Sequence, residues 1–167
     1  MRALRTVVVT AALLTVVAVG EYVAASGRQA GPEQPIAFSH KVHAGDNKIP
    51  CLYCHANARR SPVAGIPSVQ LCMGCHKITA ADKPEVRKLQ DYWNQKRPIP
   101  WVKVYDQPDF VHFPHKPHLL KGIACQTCHG PVETMDRIFE AVTLDMDRCV
   151  ACHMERQASI DCLACHK

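Results

Sequence analysis

One short motif, Cys-x-x-Cys-His, accounts for every cysteine in this chain of 167 residues. Two thiols three residues apart can each form a thioether with a vinyl group of one haem, and the turn between them brings the next imidazole beneath the iron. The sequence therefore predicts five covalently attached c-type haems, each with its own proximal histidine. The five motifs are Cys51/Cys54/His55, Cys72/Cys75/His76, Cys125/Cys128/His129, Cys149/Cys152/His153 and Cys162/Cys165/His166.

Zinc sites and disulfides are the other common uses of paired cysteines. Tetrahedral structural zinc takes such pairs two at a time, so five pairs leave one pair without a partner. Neither zinc nor a disulfide explains why a histidine follows every pair. The chain has ten histidines, and five consecutive placements at this position are improbable by chance. Haem attachment is the interpretation that the motif favours.

Four of the other histidines lie in two clusters that both read Phe-x-His-x-x-His. The first cluster spans residues 38–43, ahead of the first two motifs, and the second spans residues 113–118, ahead of the last three. Histidines at i and i+3 of a bent or single-turn segment can point to opposite sides and ligate two neighbouring haems. We expect these histidines to be the distal ligands of four irons: His40, His43, His115 and His118.

The order of these clusters and motifs resembles that of the small low-potential class III multihaem cytochromes. In that family the first histidine of a cluster serves the next haem, and the second histidine serves the haem after it. The resemblance implies four axial pairs in this chain: His40/His55, His43/His76, His115/His129 and His118/His153.

The haem at His166 has no partner in this scheme. In the resembled cytochromes its distal ligand comes a few residues before the preceding motif, and Met146 occupies that place here. The resemblance therefore implies Met146 as the ligand, with Met135, His112 or an open position as alternatives. A thioether ligand raises the potential of a haem relative to two imidazoles. This haem is expected to have the highest potential.

Three stretches are similar to the pentahaem cytochrome c component of alternative complex III. They are residues 66–76 (IPSVQLCMGCH), 98–105 (PIPWVKVY) and 125–136 (CQTCHGPVETMD). That complex oxidises quinol at a membrane and passes the electrons to a cytochrome c, a cupredoxin or an oxidase. The resemblance implies membrane and iron–sulfur subunits as partners. The chain departs from that family at His112, where an aromatic residue is common.

Ligation decides which functions are open to the chain. An iron with two protein ligands has no position for a substrate, so such haems accept and pass electrons without catalysing a reaction. We therefore expect an electron-carrier subunit that is not itself an enzyme. The alternatives are a membrane-anchored multihaem quinol dehydrogenase with one open haem and a periplasmic electron shuttle. A multihaem nitrite reductase is disfavoured because the chain has no Cys-x-x-Cys-Lys motif.

The N-terminal residues 1–25 have the features of an export element. Arg2 and Arg5 precede a largely apolar run in which Glu21 is the only charged residue as far as Ala25. A run of about 20 such residues is long enough to cross a bilayer. We expect an anchor in the cytoplasmic membrane, with the haem domain on the periplasmic side. A cleaved signal peptide is the alternative reading.

The rest of the chain is expected to fold as a mostly irregular and α-helical multihaem cytochrome c. About 140 residues remain for five haems, so the porphyrins must supply much of the buried apolar surface. Prolines at 98, 100 and 108 predict a connector over residues 98–109. It separates a two-haem module, residues 26–97, from a three-haem module, residues 110–167.

One helix is predicted within the two-haem module, over about residues 83–96. Asp82 and Glu85 match a capping box, and Val86, Leu89 and Trp93 follow at near-helical spacing.

The excess of basic residues does not indicate a nucleic-acid partner. Lysine and arginine outnumber aspartate and glutamate by 20 to 15, for a formal net charge of +5. With two ionised propionates, a ferric haem adds about −1 and a ferrous haem about −2. Five haems cancel or reverse the formal charge, so no nucleic-acid footprint is expected.

Overall fold

The computed structural model of the protein describes residues 31–166, which form short helices joined by irregular segments. A π-helical turn, Lys41–Asp46, comes first, and 3-10 turns occupy Ala56–Arg59 and Val132–Thr134. An isolated antiparallel bridge pairs Val111 with His166. The fold is mostly helical and irregular, as predicted. The α-helices are α1 (Cys51–Cys54), α2 (Val69–His76), α3 (Pro84–Asn94), α4 (His115–Leu120), α5 (Gln126–His129), α6 (Met146–Glu155) and α7 (Cys162–Cys165).

The anchor predicted at residues 1–25 lies outside the described residues. Between residues 31 and 166, none of the helices combines the length and the apolar character needed to cross a bilayer. The N-terminal membrane helix stays a prediction.

The hydrophobic core formed by protein side chains is small. Ile36, Met73, Leu89 and Ile99 make up its centre, and each is less than a tenth exposed. None of the described large side chains is completely buried. A chain of this length ordinarily encloses more apolar surface than this. Such a core is expected where a cofactor supplies part of the buried surface.

Helix α3 corresponds to the helix predicted after the second motif, but it begins differently. Lys83 is the N-cap residue, makes no side-chain capping bond, and is followed by Pro84 as the first helical residue. Proline suits this position because its fixed φ matches the helix and it has no N–H to satisfy. The capping box predicted from Asp82 and Glu85 is therefore wrong. The Glu85 carboxylate instead accepts the backbone N–H of Ala37 at 2.7 Å.

The apolar stripe of α3 packs along only part of its length. Val86 and Leu89 are buried, at 9 % and 6 % exposure, whereas Trp93 is 36 % exposed. The ammonium of Lys77 lies 5.5 Å from the centroid of the Trp93 ring. A cation over an exposed indole is a favourable contact, so Trp93 has a role at the surface rather than in the core.

The predicted connector, residues 98–109, contains no helix but is packed against the rest of the chain. Ile99 is buried in the core, and Trp101 packs at its margin. The side-chain amide of Gln34 donates to the Val102 carbonyl at 3.0 Å and accepts from the Val102 N–H at 2.9 Å. The start of this segment is therefore fixed to the first half of the chain.

The two halves of the chain also meet directly. The Ser39 hydroxyl donates to the Asp136 carboxylate at 2.8 Å, and the backbone N–H of Lys41 donates to the Met135 carbonyl at 3.0 Å. Met135 is only 4 % exposed. The first histidine cluster is thus held against the segment that follows the third motif.

Candidate haem-binding sites

Each Cys-x-x-Cys-His motif coincides with a helical turn. Helices α1, α5 and α7 are single turns built from the motif itself, while α2 and α6 each contain one complete motif. In a helix, positions i, i+3 and i+4 share one face, so this turn presents both thiols and the imidazole to the same side. In the single turns the histidine N–H donates to the first cysteine's carbonyl, over 2.9 Å (His55–Cys51), 3.0 Å (His129–Cys125) and 2.9 Å (His166–Cys162).

The second cysteines of the two longer helices, Cys75 and Cys152, lie within continuous helical backbone. The Cys75 carbonyl accepts the N–H of Thr79 at 2.9 Å, and the Cys152 carbonyl accepts the N–H of Arg156 at 3.0 Å. Neither cysteine is bonded to another sulfur. The structure thus places both within the helical turns of their motifs, and their attachment to haem stays a prediction.

The depth of the cysteines differs between motifs. Four motifs pair an exposed cysteine with a partly buried one, whereas in the third motif both cysteines are partly buried. The third motif is therefore the least accessible to solvent. The exposed cysteines are Cys51, Cys75, Cys149 and Cys162, and the partly buried ones are Cys54, Cys72, Cys125, Cys128, Cys152 and Cys165.

None of the ten cysteines forms a disulfide. No group of three or more His, Cys, Asp or Glu side chains between residues 31 and 166 is arranged to hold a metal ion. Burial raises the pKa of several of these thiols, namely Cys54, Cys72, Cys125, Cys128 and Cys149.

Three of the implied axial pairs face each other across a gap. Imidazoles bound to opposite sides of one iron, each with a nitrogen about 2 Å from the metal, have ring centroids roughly 6 Å apart. The gaps observed between the paired rings fit a haem iron. The centroid distances are 6.0 Å for His43/His76, 6.5 Å for His115/His129 and 5.9 Å for His118/His153.

The fourth implied pair involves the most deeply buried of the distal imidazoles. His40 Nδ1 is buried and has no hydrogen-bond partner among the described residues. Burial, followed by the charges of His55 and His43, lowers the pKa of His40 to about 4. The ring is therefore neutral at physiological pH, which metal ligation requires. A buried imidazole without a full set of partners is costly, and the ligand role of His40 stays a prediction.

Six of the predicted ligand histidines are oriented by backbone carbonyls. A carbonyl that accepts the Nδ1–H fixes the ring and leaves Nε2 available for a metal. The proximal bonds run from His55 to Gly65 at 2.6 Å, from His76 to Thr79 at 2.9 Å and from His153 to Ser159 at 2.5 Å. The distal bonds run from His43 to Ser39 at 2.8 Å, from His115 to Pro62 at 3.0 Å and from His118 to Pro114 at 3.0 Å. Sequence reasoning missed these acceptors, because a carbonyl carries no side-chain signature.

The phenylalanine of each histidine cluster separates the two imidazoles. Phe38 meets His40 edge-on, with centroids 4.9 Å apart at 85°, and stacks on His43 at 4.3 Å. Phe113 repeats this arrangement in the second half, edge-on to the first histidine at 4.9 Å and 86° and tilted against the second at 4.6 Å. The Phe-x-His-x-x-His sequence is therefore repeated as a structure, in which one phenylalanine ring contacts both imidazoles.

Tyr105 is a further residue at the third motif. Its ring lies edge-on to His129, with centroids 4.7 Å apart, and its hydroxyl donates to the His129 carbonyl at 3.4 Å. Burial raises the pKa of this hydroxyl and lowers the pKa of His129. The role of Tyr105 was not predicted, although it ends one of the three stretches that carry the family resemblance.

The candidates for the fifth distal ligand lie in different surroundings. Met146 is the first residue of α6 and is 66 % exposed, whereas Met135 is 4 % exposed. The backbone N–H of His112 donates to the Cys165 carbonyl at 2.7 Å. The Phe110 ring lies 5.8 Å from the His166 ring. The structure thus brings residues 110–112 to the fifth motif, and the choice of Met146 stays a prediction.

Comparisons with known proteins cover both halves of the chain. The profile of the class III cytochrome c family matches residues 19–100, and the profile of cytochrome c7 and related cytochromes c matches residues 111–167. The multiheme cytochrome c subunit of menaquinone reductase from Nitratidesulfovibrio vulgaris (strain Hildenborough) is 31% identical over 162 residues. That match covers 81% of this chain and 77% of the relative.

Proposed function

Because this chain belongs to the class III and cytochrome c7 family of multihaem cytochromes, we propose that it is the five-haem electron-carrier subunit of a quinone-linked membrane complex. Members of this family bind c-type haem covalently. All five Cys-x-x-Cys-His motifs lie in helical turns, and this supports one haem at each.

The observation that carries the proposal is the pairing of imidazoles across gaps of about 6 Å. In each of these pairs at least one ring also has its Nδ1–H held by a backbone carbonyl. Such rings would hold an iron through Nε2 from both sides and would leave it no exchangeable coordination position. When bound, the haems supply one-electron redox chemistry, and the chain's own residues hold them in place, orient the rings and exclude ligands.

For the fifth iron we propose the thioether of Met146. Its position at the start of α6, three residues before Cys149, supports this choice, and its exposure leaves the side chain free to turn. Met146→Leu is expected to abolish the near-infrared His/Met charge-transfer band in magnetic circular dichroism. Met135→Leu is the matched control and should keep the band. Persistence of the band in Met146→Leu would contradict the assignment, and its loss in Met135→Leu would identify the other methionine.

The resemblance to the pentahaem component of alternative complex III supports the direction of flow that we propose. Electrons from quinol reach this chain through an iron–sulfur protein and leave to a cytochrome c, a cupredoxin or an oxidase. A second candidate is the reverse direction, towards quinone, because the relative from Nitratidesulfovibrio vulgaris is named as a subunit of menaquinone reductase. The complex isolated from membranes should contain integral and iron–sulfur subunits. Its activity with quinol and with quinone then distinguishes the two directions.

We also propose that residues 1–25 anchor the chain in the cytoplasmic membrane, with the haems on the periplasmic side. The apolar run behind Arg2 and Arg5 supports this. The mature N-terminus can be read by mass spectrometry. A chain that begins after residue 25 and is extracted without detergent would instead favour the periplasmic shuttle.

Three measurements on the purified chain test the main proposal. The pyridine haemochrome should give five haems per polypeptide, the reduced protein should not take up carbon monoxide, and the chain alone should not oxidise quinol. Rapid stoichiometric uptake of carbon monoxide at several centres would overturn the assignment of two-ligand irons. Quinol oxidation by the isolated chain, with a high-spin haem signal, would favour the quinol dehydrogenase.

A further inference from the structure

The two halves of the chain meet through their first and third motifs. Burial raises the pKa of the Cys125 thiol, and the neighbouring Cys51 raises it further, so the two cysteines lie close together. Beside them, the His115 Nδ1–H donates to the Pro62 carbonyl at 3.0 Å, across 53 positions of sequence. Helix α4, which carries His115, packs against the 3-10 turn Ala56–Arg59 that directly follows the first motif. A distal ligand of the third haem is therefore held by the loop of the first haem.

When cysteines of two motifs lie close together, the porphyrins attached to them must also lie close together. Each cysteine of a motif is bonded to a vinyl substituent at the edge of its own porphyrin. Because Cys51 lies close to Cys125, and the loop after the first motif holds His115, the edges of the first and third haems should be close as well. Because electron tunnelling falls steeply with edge-to-edge distance, this is the junction through which electrons cross between the halves.

The remaining pairs of neighbouring haems are inferred from chain segments that serve two haems at once. His40 and His43 lie on one turn around Phe38, which makes the first and second haems adjacent. His115 and His118 likewise lie on one turn around Phe113, which makes the third and fourth haems adjacent. The fourth and fifth motifs lie in the consecutive helices α6 and α7. Burial raises the pKa of Cys149, and Cys128 and then Cys165 raise it further, as expected if the fourth motif lies near both the third and the fifth.

The halves also meet beside the first histidine cluster. The π-helical turn that carries His43 touches the 3-10 turn Val132–Thr134, where Gly45 lies against the Glu133 carbonyl. At Gly45 this contact is between backbone atoms, and neither turn carries a cysteine. The porphyrins are attached at the cysteines, so this contact does not by itself bring the second and third haems together.

We propose that the haems are connected in the order second, first, third, fourth, fifth, so that the first haem is inserted between the second and the third. This inference rests on the proposed five-haem function and adds its path. The second and fifth haems are then the two ends of the conductor, where partner proteins exchange electrons. Sequence order alone would have placed the first haem at an end.

Nuclear magnetic resonance of the fully reduced holoprotein tests this order. Low-spin ferrous haems are diamagnetic, and each is assigned through contacts with the protons of its own cysteines and histidine. Nuclear Overhauser effects between substituents of the first and third haems are expected. Effects between the second and third haems, without any between the first and third, would overturn the order.

A matched pair of variants gives an independent readout. His40→Met and His43→Met each replace an imidazole with a thioether, three residues apart, and each raises the potential of its own haem. The haem that is reduced earlier repels the next electron, and this repulsion weakens with distance. In spectroelectrochemical titrations, His40→Met should therefore shift the midpoint of the third haem more than His43→Met does. An equal or larger shift from His43→Met would contradict the order.

The haem count separates the two possible failures. Five low-spin haems with a different map of contacts would overturn the order and leave the proposed function intact. A holoprotein with fewer than five haems would overturn the proposed function, and the order with it.

Discussion

The orientation of a haem ligand in this protein depends on the backbone conformation of single residues. Gly65 supplies the carbonyl that holds the His55 ring, and its φ of +75° lies in the left-handed region. A side chain added there would lie 3.1 Å from the Asn57 amide nitrogen. Glycine is therefore required by the same conformation that directs the carbonyl at the ring.

Gly65→Ala is expected to lower the free energy of unfolding by about 1–2 kcal/mol, the cost of the left-handed region for a residue with a Cβ. It should also turn the His55 ring and change the low-temperature electron paramagnetic resonance g-values of the first haem. Gly122→Ala is the control, because Gly122 has a φ of +70° and nothing within 4 Å of an added Cβ. It should have a similar cost and an unchanged spectrum. Unchanged g-values in both variants would show that this carbonyl does not orient His55.

At the scale of elements, helix α3 holds the segment that leads into the first histidine cluster. The Glu85 carboxylate accepts the Ala37 N–H at 2.7 Å and lies 2.7 Å from the Lys88 ammonium. The hydrogen bond from Lys88, followed by that from Ala37, lowers the pKa of Glu85 below its ordinary 4.5. Since Ile36 beside this bond is a core residue, α3 and the cluster are positioned together.

This carboxylate makes the stability of α3 depend on pH. Because the pKa of Glu85 is lower in the folded state, its contribution is complete above 4.5 and is lost as the pH falls through the lowered value. Glu85→Ala should cost about 1 kcal/mol at neutral pH, since the group is partly exposed and screened. In urea unfolding, the difference from the wild type should shrink below pH 4.5. A difference independent of pH would show that the carboxylate charge has no part in it.

At the scale of the whole molecule, the contacts between the halves make the chain one cooperative unit. Asp136 receives the Ser39 hydroxyl and lies 3.9 Å from the Lys41 ammonium. Asp136→Ala should therefore lower the free energy of unfolding by about 1 kcal/mol. Asp106→Ala removes only an exposed pair with Lys103, a neighbour three positions away in sequence, and should be nearly neutral. Equal effects in denaturant titrations would contradict a structural contact between the halves.

Removal of the haems should unfold the protein. Helices α1, α5 and α7 have four residues each, far too few to be stable alone, and the protein core is small. A chain produced without haem attachment is therefore expected to lose most of its far-ultraviolet circular dichroism. Retention of the helical signal would show that side-chain packing alone maintains the fold.

The sequence by itself determined the chemistry of the haem sites, because all the groups that attach a haem lie within five consecutive residues and one helical turn. Family comparison confirmed the c-type haem, while the number of haems stays a proposal. The Phe-x-His-x-x-His repeat is likewise local, and its geometry is the same in both halves. The predicted capping box failed because Pro84 sets the helix start and Ala37, 48 positions away, takes the carboxylate.

Only the tertiary structure indicates which of the predicted haem sites are neighbours. The approach of Cys51 to Cys125, and of His115 to Pro62, joins residues that are far apart in the chain. No local pattern encodes such a contact, and the carbonyls that orient the imidazoles have no side-chain signature. The motifs predict which cofactor each site binds, whereas the electron path between the sites depends on how the two halves of the chain pack.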